Sequence, residues 1–132
     1  MVLLDTNLCL LIIKKAPPKA LERLLACAPD EVGLSVITLG ELAHGVAQSS
    51  NPDKNREALE LFLAALRVVE FSAEAALTWG QLRAQLDAKG TAMGALDAMI
   101  AAQALSLGAT LATSTPKAFR SIKGLTLENW TR

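Results

Sequence analysis

The chain has 132 residues, 52% of them apolar, and its 13 basic and 13 acidic side chains balance to zero net charge. Such a length suits one compact domain over residues 1–132, and the apolar share excludes disorder, which needs low hydrophobicity and a large net charge. A neutral chain does not attract a polyanion by overall charge, so a nucleic acid must be met by a local basic patch or through metal ions.

Met1 to Leu4 is a short apolar run ending at Asp5, the pattern of a strand buried on both faces. Asn7 is placed to cap a helix running through Ile13, and Pro17-Pro18 ends it and opens the next, because Pro fits a first helical turn. Leu21, Leu24, Leu25 and Ala28 make an apolar stripe at helical spacing. Val32 to Ile37 is predicted as a second strand and Thr38 to Gln48 as a helix. Ser49 to Pro52 forms a loop, and Pro52 opens a helix carrying Leu59, Phe62, Leu63 and Leu66.

A third strand is predicted over Arg67 to Phe71, followed by a helix capped by Ser72 and reaching about Lys89. Gly90 to Gly94 is a loop before the helix Leu96 to Leu107, which stops at Gly108. Thr110 to Thr113 is a fourth strand, Pro116 to Ser121 a helical turn and Leu125 to Leu127 a short fifth strand. Strands alternating with helices predict an α/β sandwich with a mostly parallel sheet. Twenty-three alanines against three Phe, two Trp and no Tyr predict closely packed helices.

Cys9 and Cys27 stand in apolar surroundings, without a CxxC pair and with one His in the chain. The usage excludes a zinc ribbon and predicts buried, reduced thiols in a cytoplasmic protein. Unbroken apolar runs are no longer than the six residues of Leu8 to Ile13, far short of the ~20 residues a membrane span needs. The expected product is soluble, with no membrane partner.

Parallel α/β sheets bind ligands outside the carboxyl ends of their strands, and three acids fall there. Asp5 follows the first strand directly, although Asp, Thr and Asn at positions 5 to 7 equally suit a strand-to-helix turn. Glu41 follows the second strand, and with Thr38 it also has the spacing of a capping box. Asp97 begins an alanine-rich helix, where the helix dipole alone would favour an acid, yet it is the only charged residue between Thr91 and Thr113. If the three converge, each pair at ~4 Å repels by about 4 kcal/mol at an effective dielectric near 20. A hard divalent cation with oxygen ligands, Mg²⁺ or Mn²⁺, relieves that repulsion and suits phosphodiester hydrolysis.

The stretches Leu3-Leu4-Asp5-Thr6-Asn7, Ser35-Val-Ile-Thr38-Leu-Gly-Glu41-Leu-Ala-His44-Gly45, Gly94-Ala-Leu-Asp97-Ala-Met-Ile-Ala-Ala and Gly108-Ala-Thr-Leu-Ala-Thr113 together resemble the PIN-domain ribonucleases. The likeness is strongest to the VapC toxins of bacterial toxin–antitoxin pairs, and includes the closing Gly124-Leu-Thr-Leu-Glu-Asn-Trp130. It implies a PIN-like three-layer sandwich with a five-stranded sheet, a Mg²⁺- or Mn²⁺-dependent endoribonuclease acting on structured RNA such as tRNA, and a cognate VapB-like antitoxin. It carries catalytic and metal-ligand roles onto Asp5, Glu41 and Asp97, with Thr6 and Asn7 supporting them. The family usually adds a fourth acid just after the fourth strand, but Thr113 to Phe119 contains no carboxylate. Ser114 and Thr115 can offer hydroxyls there but no charge. That departure motivates an alternative: a catalytically weakened PIN domain acting mainly as an antitoxin- or RNA-binding module.

Lys117, Arg120 and Lys123 recur every three residues near the same edge, and Lys14, Lys15 and Lys19 form a second basic cluster. Lys117, Arg120 and Lys14 are the candidate phosphate contacts, which would orient RNA without reading its sequence. His44 stands three residues after Glu41 and is expected to line or pack against the crevice; Trp79 and Trp130 are expected in the core. The apolar helix residues Leu59, Phe62, Leu63 and Leu66 are expected to exceed what one core can bury, and with the resemblance they predict a homodimer.

Overall fold

In the computed structural model, which describes residues 1–132, the five strands are β1 (Val2–Leu4), β2 (Val32–Ser35), β3 (Arg67–Val69), β4 (Thr110–Thr113) and β5 (Thr126–Asn129). They form one sheet in the order β3-β2-β1-β4-β5, and every neighbouring pair is parallel. The helices are α1 (Thr6–Lys14), α2 (Pro18–Leu25), α3 (Val36–Gln48), α4 (Pro52–Ala64), α5 (Ala73–Ala88) and α6 (Ala95–Leu107). Short 3₁₀ turns occupy Pro29–Glu31 and Pro116–Phe119.

Alternation along the strands sorts the core into two layers. Leu3 and Leu111 face α5 and α6, packing with Leu82, Leu86, Ile100 and the alanines of α6. Leu4, Leu34 and Ala112 face the other way, onto Leu8, Ile12, Leu42, Leu59 and Trp130. The four small residues Ala98, Ala101, Ala102 and Ala104 are fully buried, which lets α6 lie close against both the sheet and α5. Gly33 has a different steric role: a Cβ there would sit 2.7 Å from the Arg67 carbonyl oxygen, so a side chain would push β3 off β2.

Several boundaries differ from the sequence-based expectation. The cap of α1 is Asp5, whose Oδ1 accepts from the Leu8 amide at 2.8 Å, while Asn7 lies exposed inside the first turn. The second strand stops at Ser35, whose hydroxyl accepts from the Ile37 amide at 3.0 Å and starts α3 early. Val36 and Ile37 are β-branched and apolar, but the Ser35 cap outweighs their strand preference. The third strand ends at Val69, before Phe71, and the fifth runs to Asn129.

Leu59 is buried, and Phe62, Leu63 and Leu66 pack against the core, so these residues are not the surplus surface they were expected to be. The large apolar side chains left most open are Leu61, Leu25 and Leu77. No helix is long and apolar enough to cross a membrane. Trp130 is buried and Trp79 packs half-buried against the α5–α6 layer, as expected of core residues.

Candidate active site

From β1 the sheet grows outward to β2 and β3, then reverses to β4 and β5. The reversal leaves a crevice between the carboxyl ends of β1 and β4, the place where parallel sheets bind ligands. Asp5 stands at that point. Its amide donates to the Ala112 carbonyl at 3.0 Å, which extends the β1–β4 ladder one step and fixes the residue's backbone.

The Asp5 side chain is 3% exposed and held at both oxygens. Oδ1 takes the Leu8 amide, and Oδ2 takes a short hydrogen bond from the Thr113 hydroxyl. Thr113 Oγ1 also accepts from the Thr115 amide at 2.9 Å, while its carbonyl accepts from the Trp130 amide at 3.2 Å. Thus the last residue of β4 fastens Asp5, the loop after β4 and the C-terminal segment to one another. Sequence reasoning gave Thr113 a place in a motif but no task. The available signal was a hydroxyl ending a short, mostly apolar strand at the edge where Asp5 lies.

Glu41 enters from α3. The early start of that helix removes the capping box: Glu41 sits in its second turn and its carboxylate is free to face α1. Thr6 donates to Glu41 Oε1 at 2.6 Å, and the buried Thr38 hydroxyl lies 3.2 Å from Thr6 Oγ1, within hydrogen-bonding reach. Thr38 is the second residue whose part was missed, because its spacing to Glu41 had suggested a cap.

Asp97 comes from the first turn of α6, on the other side of the sheet, and is exposed at the rim. Two of the three carboxyls, Asp5 and Asp97, are perturbed. Burial is the main force raising Asp5 above the usual carboxylate range; its hydrogen bonds from Thr113 and Leu8 oppose this, and the charges of Asp97 and Glu41 add to it. Asp97 is also raised, by burial first and by Glu41 second. None of the three is paired with a cation, since the ion pairs of the chain are Arg23–Glu128, Arg56–Asp53 and Arg83–Asp87.

A buried acid with two acid neighbours and no basic partner matches the chemistry of a hard divalent ion, which oxygen donors bind best. No trio of His, Cys, Asp or Glu side chains is already gathered into a finished coordination shell. The donor set therefore fits such an ion by charge and atom type rather than as a preformed cage.

The remaining predicted residues are placed as follows. Ser114 is half-buried and Thr115 exposed just beyond Thr113, and Lys117, Arg120, Lys123, Lys14, Lys15 and Lys19 are all exposed. His44 is exposed on α3 and makes no side-chain hydrogen bond, contrary to its expected place in the crevice. Cys9 and Cys27 are free thiols; Cys9 is buried directly behind Asp5, and desolvation, with the Asp5 charge second, pushes its pKa well up. Such a thiol is inert.

A PIN-domain family model matches residues 2–125. The chain belongs to the PIN-domain family. It is 38% identical over 129 residues to Ribonuclease VapC2 of Rickettsia felis, covering 97% of this chain and 96% of the relative. To the tRNA(fMet)-specific endonuclease VapC of Salmonella typhimurium it is 38% identical over 128 residues, with 97% and 96% covered. Among solved structures, VapBC2 from Rickettsia felis bound to a promoter DNA fragment superposes with a TM-score of 0.93 at 37% identity, covering 98% of this chain and 99% of that one. VapBC-1 from nontypeable Haemophilus influenzae gives 0.90 at 32% identity, with both chains wholly covered. The sandwich expected from the sequence is the fold of these PIN-domain structures. Ribonucleases of this family depend in general on divalent metal.

Proposed function

We propose that this chain is the toxin of a type II toxin–antitoxin pair, an endoribonuclease that hydrolyses phosphodiesters of structured RNA, tRNA first among the candidates, with Mg²⁺ or Mn²⁺. The observation that carries the reading is Asp5, buried at the reversal point of the sheet, clamped at both oxygens, and with its pKa raised first by that burial and then by the charges of Asp97 and Glu41. Asp5, Asp97 and Glu41 are the residues that would hold the ion. When bound, the ion supplies Lewis acidity that makes water a nucleophile near neutral pH and offsets charge on the phosphate.

The other side chains serve position. Thr113 keeps Asp5 in one rotamer and favours its ionised form, and Thr6 fixes the direction of the Glu41 carboxylate by a hydrogen bond. Ser114, Thr115 and Asn7 present hydrogen-bonding groups around the rim. Lys117, Arg120 and Lys14 are exposed cations suited to phosphate, and orient the RNA without reading its bases.

A groove of about 350 Å³ runs from Glu41 to Lys14 between α1, α3 and α4, lined by apolar residues such as Leu10, Ile13 and Val46. That groove supports a VapB-like antitoxin as partner, as do the VapBC complexes among the similar structures. We also infer a cytoplasmic homodimer, which would cover part of the exposed Leu61, Leu25 and Leu77.

The test is cleavage of a transcribed initiator tRNA by the purified protein with Mg²⁺ or Mn²⁺ and with chelator. Cleavage that requires the ion and vanishes in Asp97→Asn is the expected result. Asp97→Asn cleaving at the parent rate would remove Asp97 from the site. One observation favours the second reading, a weakened PIN module that chiefly binds: Ser114 to Phe119 supplies no acid. A pure, folded protein that binds tRNA and leaves it intact at every metal concentration would establish that alternative.

A further inference from the structure

Asp97 reaches the crevice from a helix whose start is held by little. Its cap residue, Gly94, has no side chain to bind the first free amides, and no side-chain cap is made. The loop before it is tied early, by Gly90 to the Asp87 carbonyl at 3.1 Å and Thr91 to the Leu86 carbonyl at 2.9 Å. After Thr91 the amides of Ala92, Met93 and Gly94 make no backbone hydrogen bond.

One side chain reaches this stretch. Arg83, on α5, donates from Nη1 to the Met93 carbonyl at 3.0 Å. Its Nε donates to Asp87 Oδ1 at 3.1 Å and its Nη2 lies 3.0 Å from the same oxygen in an ion pair, so the guanidinium is fixed on its own helix before it extends to the loop. The Asp97 carboxylate folds back over the same turn, since a Cβ on Gly94 would lie 3.9 Å from Asp97 Oδ2. Arg83 has its charge met by Asp87 and touches the loop at a backbone carbonyl, not at the Asp97 carboxylate. The tether therefore acts through geometry rather than through charge.

We propose that Arg83 is a positioning residue for the RNA-cleavage site: by pinning the Met93 carbonyl to α5 it sets where α6 begins, and so where the Asp97 carboxylate enters the crevice. This rests on the reading of Asp97 as a metal-holding residue. Misplacing a reacting group by ~1 Å can cost about a hundredfold in rate. A tether four residues from the carboxylate has that reach.

Arg83→Met keeps the apolar stem of the side chain and removes the fork. It should lower kcat on initiator tRNA about ten- to a hundredfold with KM little changed, and should weaken Mn²⁺ binding measured by calorimetry. In metal-free protein the Ala98 amide, bonded to the Gly94 carbonyl at 3.0 Å, and the amides of the turn that follows it should exchange faster with solvent, while those of β1 keep the parent rate. Added to Asp97→Asn, the substitution should weaken Mn²⁺ binding no further, because its effect passes through that carboxylate.

Parent values of kcat, Mn²⁺ affinity and exchange in folded Arg83→Met would overturn the proposal, as would a further loss of affinity on top of Asp97→Asn. If Asp97→Asn itself cleaves normally, the reading of the site fails; the exchange measurement still reports the tether on its own. Should Arg83→Met not fold, Asp87→Asn loosens the fork and leaves the arginine in place. It should then show a smaller loss in the same direction, and a parent-like Asp87→Asn would count against the tether.

Discussion

Replacing Thr113 by Val changes the site at one atom and keeps the shape of a fully buried side chain. The lost hydroxyl is the donor to Asp5 Oδ2 and the acceptor for the Thr115 amide. A buried hydrogen bond to an ionised group contributes about 1.5–3 kcal/mol, and its removal leaves both partners unsatisfied. With an unfolding entropy of about 2.1 cal/mol/K per residue, that loss lowers Tm by about 5–10 °C at neutral pH. The Thr113 bond is also the larger of the two hydrogen-bonding influences that hold the Asp5 pKa down against burial, so the carboxyl should rise further without it. The acid limb of the pH profile of kcat/KM should then move to higher pH. Because the raised group binds its proton more tightly when folded, its stabilising effect is present at low pH and lost as pH rises through the folded pKa. The stability gap between Thr113→Val and parent should therefore be wide at pH 7 and narrow below about pH 3.8, the ordinary Asp value. Thr113→Ser should restore most of both properties. Thermal unfolding by circular dichroism and a pH–rate series on initiator tRNA make the comparison. A Val variant with the parent's Tm and acid limb would show that this hydroxyl does not hold Asp5, and the account of the clamp would be wrong.

Two more outcomes follow from the crowded acids. Asp5 and Asp97 both have raised pKa values, so in chelator the protein should lose stability as pH rises from about 3.8 through their folded values; millimolar Mn²⁺ should raise Tm at pH 7 and leave it unchanged once the acids are protonated, and a metal-independent Tm at pH 7 would contradict the site. Thr115 and Ala118 are exposed on the segment that lacks an acid, so Thr115→Asp or Ala118→Glu should tighten Mn²⁺ binding about tenfold, or about 1.4 kcal/mol; unchanged calorimetric affinity in both variants would mean that this segment does not limit the site.

The amino-acid sequence by itself determined the succession of strands and helices, because apolar runs of four residues between capping and stop residues leave few other solutions. Leu3-Leu4 before Asp5, the uncharged alanine stretch after Asp97 and Gly108 at the end of α6 are local signals, and each came out where it was read. It also pointed to the three acids, since each follows a strand or opens a helix next to one. Boundaries that depended on competing caps were less legible. Ser35 and Thr38 are both good caps three residues apart, and it is Ser35 that starts α3. That start releases Glu41 from a capping role, and its Thr6 partner on α1 is supplied by the tertiary fold. The clamp of Thr113 on Asp5, the Thr6–Glu41 bond and the reach of Arg83 to Met93 were likewise beyond the sequence. The first two join residues 108 and 35 positions apart, and strand order alone brings them together. The third spans ten positions but needs the turn after α5 to fold back on that helix. Local chemistry chose the elements; the parallel crossovers chose which side chains became neighbours.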